Sequence, residues 1–298
     1  MLFETAVEMY MTDRAKRLRA TTLEGYESAI RKHIAPAWTG RDVESITHEE
    51  LQSWVDSIPT AGAATKALKM LQQVYRWAIK TYELEIFDPT QGVELPQRPI
   101  YRREVMTAKE VAHMLREAVG QPWEAVVILA ASLGLRPSEA CGVDWSDIDW
   151  RSGWVHIQRG AHTLQSGETV EYPCKTRLSD RFLKLPRWAM NRLRQIRGQR
   201  RRGRVRGELT PRQVYTRFKR FLKSIGLGRC SIEGLRHSWA TLAIGAGAAL
   251  ADVSVTMGHT TTKMVMEHYL MSTRAIAKRA IDAAGKAIGA CMEAAGVA

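Results

Sequence analysis

The chain has 298 residues, of which 45% are hydrophobic and 25% charged, so it can bury a core and is not a small scaffold that depends on disulfides. No apolar run reaches the ~18 residues that a membrane-spanning helix needs, and Glu4 and Glu8 stand where a secretory signal would be basic. Four scattered cysteines form no C-x-x-C pair, which argues against a zinc site. We therefore expect a cytoplasmic protein with reduced thiols, no metal and no membrane association.

Charge is unevenly distributed along the chain. The net charge is +13 and the isoelectric point about 9.8, which favours a polyanionic partner such as nucleic acid. Residues 1–95 hold 11 Lys and Arg against 14 Asp and Glu, whereas residues 96–298 hold 33 against 17, so the two parts carry −3 and +16. This asymmetry predicts a first domain over 1–95, a proline-containing linker over 96–103 and a second domain over 104–298.

The first domain is predicted to be helical. Capping boxes at Thr21 with Glu24 and at Thr47 with Glu50 each precede an amphipathic run. A third helix is predicted over 63–80, where basic residues fall within an arc of ~80°. A lysine stripe is often ordinary solvated surface, but in a net-acidic domain we interpret this one as a face that follows DNA phosphates. Its members are Lys66, Lys69, Arg76 and Lys80.

The second domain is predicted to be mixed. Thr107 with Glu110 caps a helix, the apolar segment 123–133 reads as a buried helix, and Thr210 to Gln213 begins another. Between them, short β-rich runs separated by turn residues, Gly160 among them, predict a small antiparallel sheet. The runs are 154–157, 169–172 and 182–185. The expected fold class is mainly α with a small antiparallel β-sheet.

Two later segments also carry predictions. Residues 187–206 contain nine arginines, including Arg200, Arg201 and Arg202. Such a run is often only solvated, but the surplus of +16 in this part of the chain favours a segment that faces nucleic acid. The alanine-rich tail from residue 275 onward has small and apolar residues near one face of a predicted helix.

Four short motifs occur in order in the second domain. They read G-L-R-P-S-E from Gly134, K-T-R-L-S-D-R from Lys175, E-G-L-R-H-S-W-A-T from Glu233, and M-G-H followed ten residues later by Tyr269. Each motif alone fits a structural salt bridge or a loop residue. Together and in this order they resemble the signature of the tyrosine recombinases, the phage-integrase family, over a region that runs from near the N-terminus to about residue 275.

The resemblance implies a helical core-binding domain, a mixed α/β catalytic domain and a site-specific DNA recombinase that cleaves and rejoins DNA through a 3′-phosphotyrosine. In this family the tyrosine attacks phosphorus, a lysine protonates the departing 5′-oxygen, and two arginines and a histidine hold the phosphate. The residues implied to be catalytic are Arg136, Lys175, Arg236, His259 and Tyr269.

The chemistry explains this choice of residues. Phosphodiester cleavage needs a nucleophile, neutralisation of charge in the transition state and a proton for the leaving oxygen. No Asp/Glu cluster suited to two Mg²⁺ ions stands out in the sequence, so we expect no cofactor and no ATP, with Arg136 and Arg236 donating bidentate hydrogen bonds to the non-bridging oxygens. Glu139 and His237 are expected to orient these arginines.

Glu233 departs from the family pattern, which usually has histidine or lysine three residues before the second arginine. A carboxylate here either braces Arg236, which we favour, or takes the proton of Tyr269. The departure also keeps open a catalytically impaired DNA-binding protein of the same fold. A type IB topoisomerase-like enzyme uses the same covalent chemistry, but the helical first domain and the G-L-R-x-x-E motif favour a recombinase.

The resemblance further implies partners. These are double-stranded DNA recombination sites, three further copies of the chain in a homo-tetramer on DNA, and an accessory directionality factor of the kind that works with some members. Such enzymes serve mobile elements, and a C-terminal segment of each copy docks on a neighbour. The tail from residue 275 onward is either that segment or a helix that packs on its own domain. The sequence does not specify the target site, nor whether the reaction is integration or excision.

Overall fold

Two large hydrophobic cores, each closed within one part of the chain, organise the structure. The computed structural model describes residues 1–97, 104–174 and 176–258. One unit comprises Met1–Arg102 together with Leu164–Ser166, and the other comprises the rest of the chain. The described residues are mostly helical with a small amount of antiparallel strand, which confirms the predicted fold class.

The first unit is built from helices around one long central helix. A π-helical turn joins the second and third helices, and a short 3₁₀ turn precedes the fourth. The α-helices are α1 (Phe3–Ala15), α2 (Ala20–Ala29), α3 (Ala35–Trp38), α4 (His48–Ser57) and α5 (Ala61–Tyr82). α5 buries Leu68, Leu71 and Tyr75, and the Tyr75 hydroxyl donates to the carbonyl of Val43 at 3.1 Å. The predicted helix over 63–80 is therefore confirmed and slightly longer.

One of the two predicted helix starts in this unit is wrong. Thr47 and Glu50 form the expected capping box at the start of α4. Thr21 and Glu24 do not, because Arg19 is the N-cap of α2 and its carbonyl already accepts the first hydrogen bonds of the helix. Thr21 thus lies inside the first turn, where a residue is not extended and cannot act as a cap.

The second unit combines helices with two short strand pairs. Its α-helices are α6 (Ala108–Glu117), α7 (Glu124–Leu133), α8 (Pro137–Gly142), α9 (Arg187–Arg197), α10 (Pro211–Ser224), α11 (Ile232–Gly245) and α12 (Leu250–Met257). Its strands are β1 (Trp154–Ile157), β2 (Arg159–Thr163), β3 (Thr169–Pro173) and β4 (Arg181–Lys184). The predicted capping boxes at the starts of α6 and α10 are both present.

The predicted single sheet is two separate antiparallel ladders in the described residues. β1 pairs with β4, and β3 pairs with β2, a strand that the sequence did not reveal. Gly160 was interpreted as a turn, yet it lies within β2 opposite Tyr172. A Cβ atom at Gly160 would come within 3.3 Å of the Ser138 side chain on α8. A Cβ would fit only if Ser138 shifted by a few tenths of an ångström, so the glycine allows the close approach between helix and strand.

The core of the second unit forms around α7, which is buried along its length as the apolar run 123–133 predicts. Trp123, just before α7, packs edge-to-face on Phe218 at 5.3 Å between ring centroids. Glu124 is also buried, and its carboxylate accepts two hydrogen bonds from Arg192, at 2.6 and 3.0 Å. A buried charge is tolerated here because it is paired and hydrogen-bonded.

The composition also predicted reduced thiols and no membrane-spanning helix. Cys141, Cys174 and Cys230 are free thiols, and Cys291 lies outside the described residues. Burial raises the pKa of the Cys141 thiol to about 12. Among the described residues, no helix combines the length and the apolar character needed to cross a bilayer.

The capping box at the start of α6 allows a local test. Thr107→Ala removes the hydroxyl that accepts from the Glu110 amide, so the first turn of α6 should lose about 1 kcal/mol of stability. Hydrogen–deuterium exchange over 108–117 should be several-fold faster than in the wild type. Thr107→Ser keeps the hydroxyl and should exchange at the wild-type rate; equal exchange in all three proteins would show that the box does not stabilise α6.

Candidate active site

Arg136 and Glu139 form the first half of the site at the start of α8. Gly134 ends α7 with a φ of +63°, a left-handed conformation that suits glycine. Arg136 follows as the extended N-cap residue of α8. The Glu139 carboxylate accepts from the Arg136 amide at 3.0 Å and from its guanidinium Nη1 at 2.6 Å. The Arg136 side chain is 37% exposed, so its guanidinium is oriented and still reaches solvent.

Arg236 forms the second half from α11. It is only 6% exposed. Its Nη1 donates to the carbonyl of Gly134 at 2.8 Å and its Nη2 to the carbonyl of Met257 at 2.7 Å. These carbonyls lie at the C-terminal ends of α7 and α12, where helical carbonyls lack partners within the helix. Arg236 therefore ties the two helix ends together.

The two predicted arginines meet around one carboxylate. Arg236 Nη1 lies 4.0 Å from Glu139, the residue that also pairs with Arg136. Arg136 Nη2 donates to the carbonyl of Gly258 at 3.4 Å, next to the Met257 carbonyl that Arg236 uses. The structure thus brings together Arg136, Glu139 and Arg236, which lie up to 100 positions apart in the sequence.

Arg181 is a further member that the sequence analysis did not single out. It is 9% exposed, and its Nη2 donates to Glu139 at 3.1 Å. The sequence held a signal, because this arginine is the last residue of the K-T-R-L-S-D-R motif and directly precedes the β-rich run 182–185. We call Arg136, Arg181, Arg236 and Glu139 the arginine cluster.

The electrostatics of the arginine cluster favour an anion. Burial acts to raise the pKa of Glu139, but the charge and hydrogen bond of Arg181, together with Arg136, outweigh it and hold the pKa below the ordinary value of 4.5. The carboxylate is therefore ionised at neutral pH. Three guanidinium groups against one carboxylate leave an excess of positive charge beside the exposed side of Arg136.

The other predicted site residues have different surroundings. Glu233 is exposed in the first turn of α11, and within the described part of the chain it makes no ion pair. The bracing role that we favoured for it has no contact to support it there, and it stays a prediction. His237 is half-buried on α11 beside Arg236. The remaining candidates lie outside the described residues: Lys175, His259 and Tyr269.

The basic face predicted on α5 is exposed. Lys66 and Lys69 line a groove of about 790 Å³ between α2 and α5, and Lys32 from the π-helical turn lines it too. The sequence analysis missed Lys32, whose only signal was its place beside another basic residue. Arg76 and Lys80 are exposed further along the same helix, outside the lining of this basic groove.

The arginine run in 187–206 is largely engaged in internal contacts. Arg200 donates to the carbonyls of the last turn of α9 and lies over the ring of Trp145, at 5.5 Å from its centroid. Arg204 pairs with Glu171 and Asp144. Arg201 and Arg202 are exposed. These contacts show a structural use for Arg200, and the DNA-facing role of all three stays a prediction.

A second basic surface, not predicted from the sequence, lies on α10. This helix buries an apolar face against the core, and its opposite side is exposed and strongly basic. The exposed basic residues are Arg212, Arg217, Lys219, Arg220 and Lys223.

Comparison with known proteins decides the family. The profile of the phage integrase family matches residues 104–275, and that of the phage integrase N-terminal SAM-like domain matches residues 2–58. The chain belongs to the phage integrase family. It is therefore a tyrosine-type, site-specific recombinase, as its motifs predicted, and all five residues implied to be catalytic fall within the matched range.

Similar sequences are tyrosine recombinases. A XerC-like tyrosine recombinase of Caldanaerobacter subterraneus subsp. tengcongensis is 22% identical, with 86% of this chain and 75% of the relative covered. The tyrosine recombinase XerC of Corynebacterium glutamicum is 24% identical, with 90% and 86% covered. These alignments span both units of the chain.

Solved structures show the same fold. The Tn1549 transposon integrase in complex with transposon right end DNA has a TM-score of 0.77 at 14% identity, covering 93% of this chain and 98% of the other. A lambda integrase tetramer bound to a Holliday junction has a TM-score of 0.69 at 20% identity, covering 90% and 77%.

The shared carboxylate gives the site a pH-dependent stability. Because the folded pKa of Glu139 is lowered, its contribution is complete above pH 4.5 and disappears as the pH falls through the folded value. Glu139→Gln should therefore unfold with about 3 kcal/mol less free energy at neutral pH, and the difference should shrink below pH 4.5. Urea unfolding on both sides of that pH measures it.

Glu233→Gln is the matched control, since it makes the same change at an exposed carboxylate. It should leave the free energy of unfolding within about 0.5 kcal/mol of the wild type. A Glu139→Gln deficit that stayed constant across the pH range would contradict an ionised, ion-paired Glu139.

Proposed function

We propose that this chain cleaves and rejoins duplex DNA at recombination sites through a covalent 3′-phosphotyrosine at Tyr269. The observation that carries the proposal is the convergence of Arg136 and Arg236 around Glu139, with the Arg136 guanidinium still open to solvent. Planar guanidinium groups donate paired hydrogen bonds to the non-bridging oxygens of a phosphate, which lysine cannot copy. Such a pair stabilises the charge that builds up on those oxygens in the transition state.

In the cleavage step one bond to phosphorus replaces another. The phenolic oxygen of Tyr269 forms a bond to phosphorus while the bond from phosphorus to the 5′-oxygen breaks, and Lys175 gives the departing oxygen its proton. His259 donates a hydrogen bond to the scissile phosphate. The tyrosine proton passes to a base, and Glu233 is one candidate because its carboxylate is exposed rather than ion-paired within the described residues.

The covalent intermediate keeps the energy of the broken bond. The freed 5′-hydroxyl of the same or another strand attacks the 3′-phosphotyrosine and restores a phosphodiester, so strand exchange consumes no ATP. The guanidinium groups supply the positive charge that metal ions supply in other phosphoryl-transfer enzymes. No cofactor takes part in either step of this proposal.

Basic surfaces on both units fit a DNA duplex as substrate. The basic groove of the first unit presents Lys32, Lys66 and Lys69, and α10 of the second presents a row of exposed arginines and lysines. Contacts of this kind bind the phosphate backbone regardless of sequence. Integrases of similar fold have been solved on DNA, one as a tetramer on a Holliday junction, which supports duplex recombination sites and a homo-tetramer for this chain.

The cellular setting belongs to the same proposal. We place the enzyme on DNA in the cytoplasm of a bacterial cell, acting on a mobile element. An accessory protein that sets the direction of the reaction is part of the proposal as well. A recombinase fits better than a topoisomerase because the family match covers the catalytic unit and the curated relatives are recombinases.

The nucleophile can be tested directly. Tyr269→Phe keeps the ring and removes the attacking oxygen, so DNA binding should persist while covalent capture of a nicked suicide substrate falls below detection. Denaturing gels detect the adduct, and a band-shift assay measures the affinity. Tyr215→Phe, the same change at an exposed tyrosine on α10, should still form the adduct. An adduct with Tyr269→Phe would remove Tyr269 from this role.

The basic groove can be tested through salt. Lys66→Ala with Lys69→Ala should reduce the slope of log affinity against log salt by about 2, because each lost phosphate contact contributes ~0.9. Lys16→Ala with Arg17→Ala removes the same charge from exposed positions after α1 and should leave the slope unchanged. Arg76→Ala with Lys80→Ala tests whether the contacts extend beyond the groove. An unchanged slope in the groove variant would assign its lysines to solvent.

A further inference from the structure

Arg181 buries its guanidinium in the interior of the second unit. Along β4 the burial alternates, with Arg181 and Leu183 inside and Phe182 and Lys184 exposed. The arginine therefore points inward, and only 9% of it is exposed. Burying a guanidinium group costs free energy unless its N–H donors are hydrogen-bonded. The hydrogen-bond partners of Arg181 therefore indicate its structural role.

Those partners lie on three different segments. Arg181 Nε donates to the carbonyl of Thr256 in α12 at 2.7 Å, and Nη1 donates to the carbonyl of Ser179 at 2.8 Å. Nη2 donates to Glu139 in α8 at 3.1 Å, with Nη1 at 3.5 Å from the other carboxylate oxygen. These contacts occupy most of its N–H donors. Arg181 is thus not free to hold a phosphate and instead joins protein segments.

Arg181 supplies the hydrogen bonds that join the segment between β3 and β4 to α8 and α12, where Leu178 and Ser179 also pack near Gly258. The segment's other hydrogen bonds are local or lead to β1 and the residue after it, such as the 2.9 Å contact between the hydroxyls of Thr176 and Ser179 and the 2.9 Å bond from the Cys174 amide to Gln158. Among its described residues, every hydrogen bond towards α8 or α12 runs through Arg181.

Arg136 and Arg236, which we call the arginine pair, are held by hydrogen bonds that do not involve Arg181. Arg136 is also held by the carbonyl of Gly258, and Arg236 by the carbonyls of Gly134 and Met257. Loss of Arg181 would therefore release the β3–β4 segment before it released the two arginines. In sequence, Lys175 lies between Cys174 and Thr176 of that segment.

We propose that Arg181 is a positioning residue for strand cleavage, which fixes the β3–β4 segment against the arginine pair and so sets the place of the proton donor. This inference rests on the proposed function, in which Lys175 protonates the leaving 5′-oxygen. A lysine at 181 keeps the charge but has a single nitrogen, which cannot reach three segments in a fixed geometry.

A change of leaving group tests the proposal. In a 5′-bridging phosphorothiolate, sulfur replaces the departing oxygen and leaves as a thiolate that needs no proton at neutral pH. Arg181→Lys should slow single-turnover cleavage of the normal substrate by about 10²-fold, since a small misplacement of a catalytic group has that effect. On the phosphorothiolate the slowing should be less than about tenfold, because general acid catalysis is no longer required.

Two further variants serve as controls for the Arg181→Lys measurement. Lys175→Ala should show the same selective loss on the normal substrate. Arg192→Lys makes the same change at an arginine that pairs with buried Glu124, and it should slow both substrates equally or not at all. If Arg181→Lys fails to fold, Arg181→Gln, which removes the charge and keeps an N–H donor in the side chain, is measured in its place.

The outcomes separate the two proposals. Equal slowing of both substrates by the Arg181 variants, with Lys175→Ala selective, would leave the proposed function standing and reduce Arg181 to a support of the fold. Equal slowing of both substrates by Lys175→Ala would remove Lys175 as the acid and overturn the Arg181 proposal with it. Selective slowing by both variants supports both.

Discussion

The site depends on one buried carboxylate shared by several arginines. Guanidinium groups brought this close would repel each other, and Arg181 and Arg236 are almost entirely withdrawn from water. Glu139 contacts both of them and Arg136 as well. Its desolvation is offset by these charges, and the net positive charge that remains is turned toward the exposed side of Arg136. Glu139 is therefore the one charged group among the described residues that contacts all three arginines.

The ends of two helices complete the arrangement. α7 and α12 both end at a glycine with a φ of +63°, and their last carbonyls accept from the two arginines. Carbonyls at a helix C-terminus carry partial negative charge and lack partners in the helix, so a cation placed there is doubly favoured. At Gly134 no other residue fits, because a Cβ would lie 2.6 Å from the ring of Trp239. Arg136 and Arg236 are thus held by backbone carbonyls as well as by charge.

Local patterns made much of this predictable, and long-range pairing limited the rest. Capping boxes and apolar runs located α4, α6, α7 and α10, because each is decided by residues a few positions apart. The motifs likewise placed Arg136 and Arg236 in one site. β2 was missed because Gly160 suggested a turn, whereas it lies in a strand that packs closely against α8. Arg181 was missed because its hydrogen-bond partners are up to 75 positions away in the sequence. The ring of Trp145 that Arg200 covers and the carboxylates that pair with Arg204 are likewise distant in the sequence.

One carboxylate that serves several arginines also constrains how this sequence can change over time. The effects of substitutions at positions 136, 139, 181 and 236 cannot be additive, because each residue alters the electrostatic surroundings of the others. A change at 139 leaves buried cations uncompensated, and a change at 181 leaves the carboxylate with one fewer partner. A tolerated change at one of these positions therefore calls for a compensating change at another, and a mutational library that varies them singly would leave charges unpaired in most of its members.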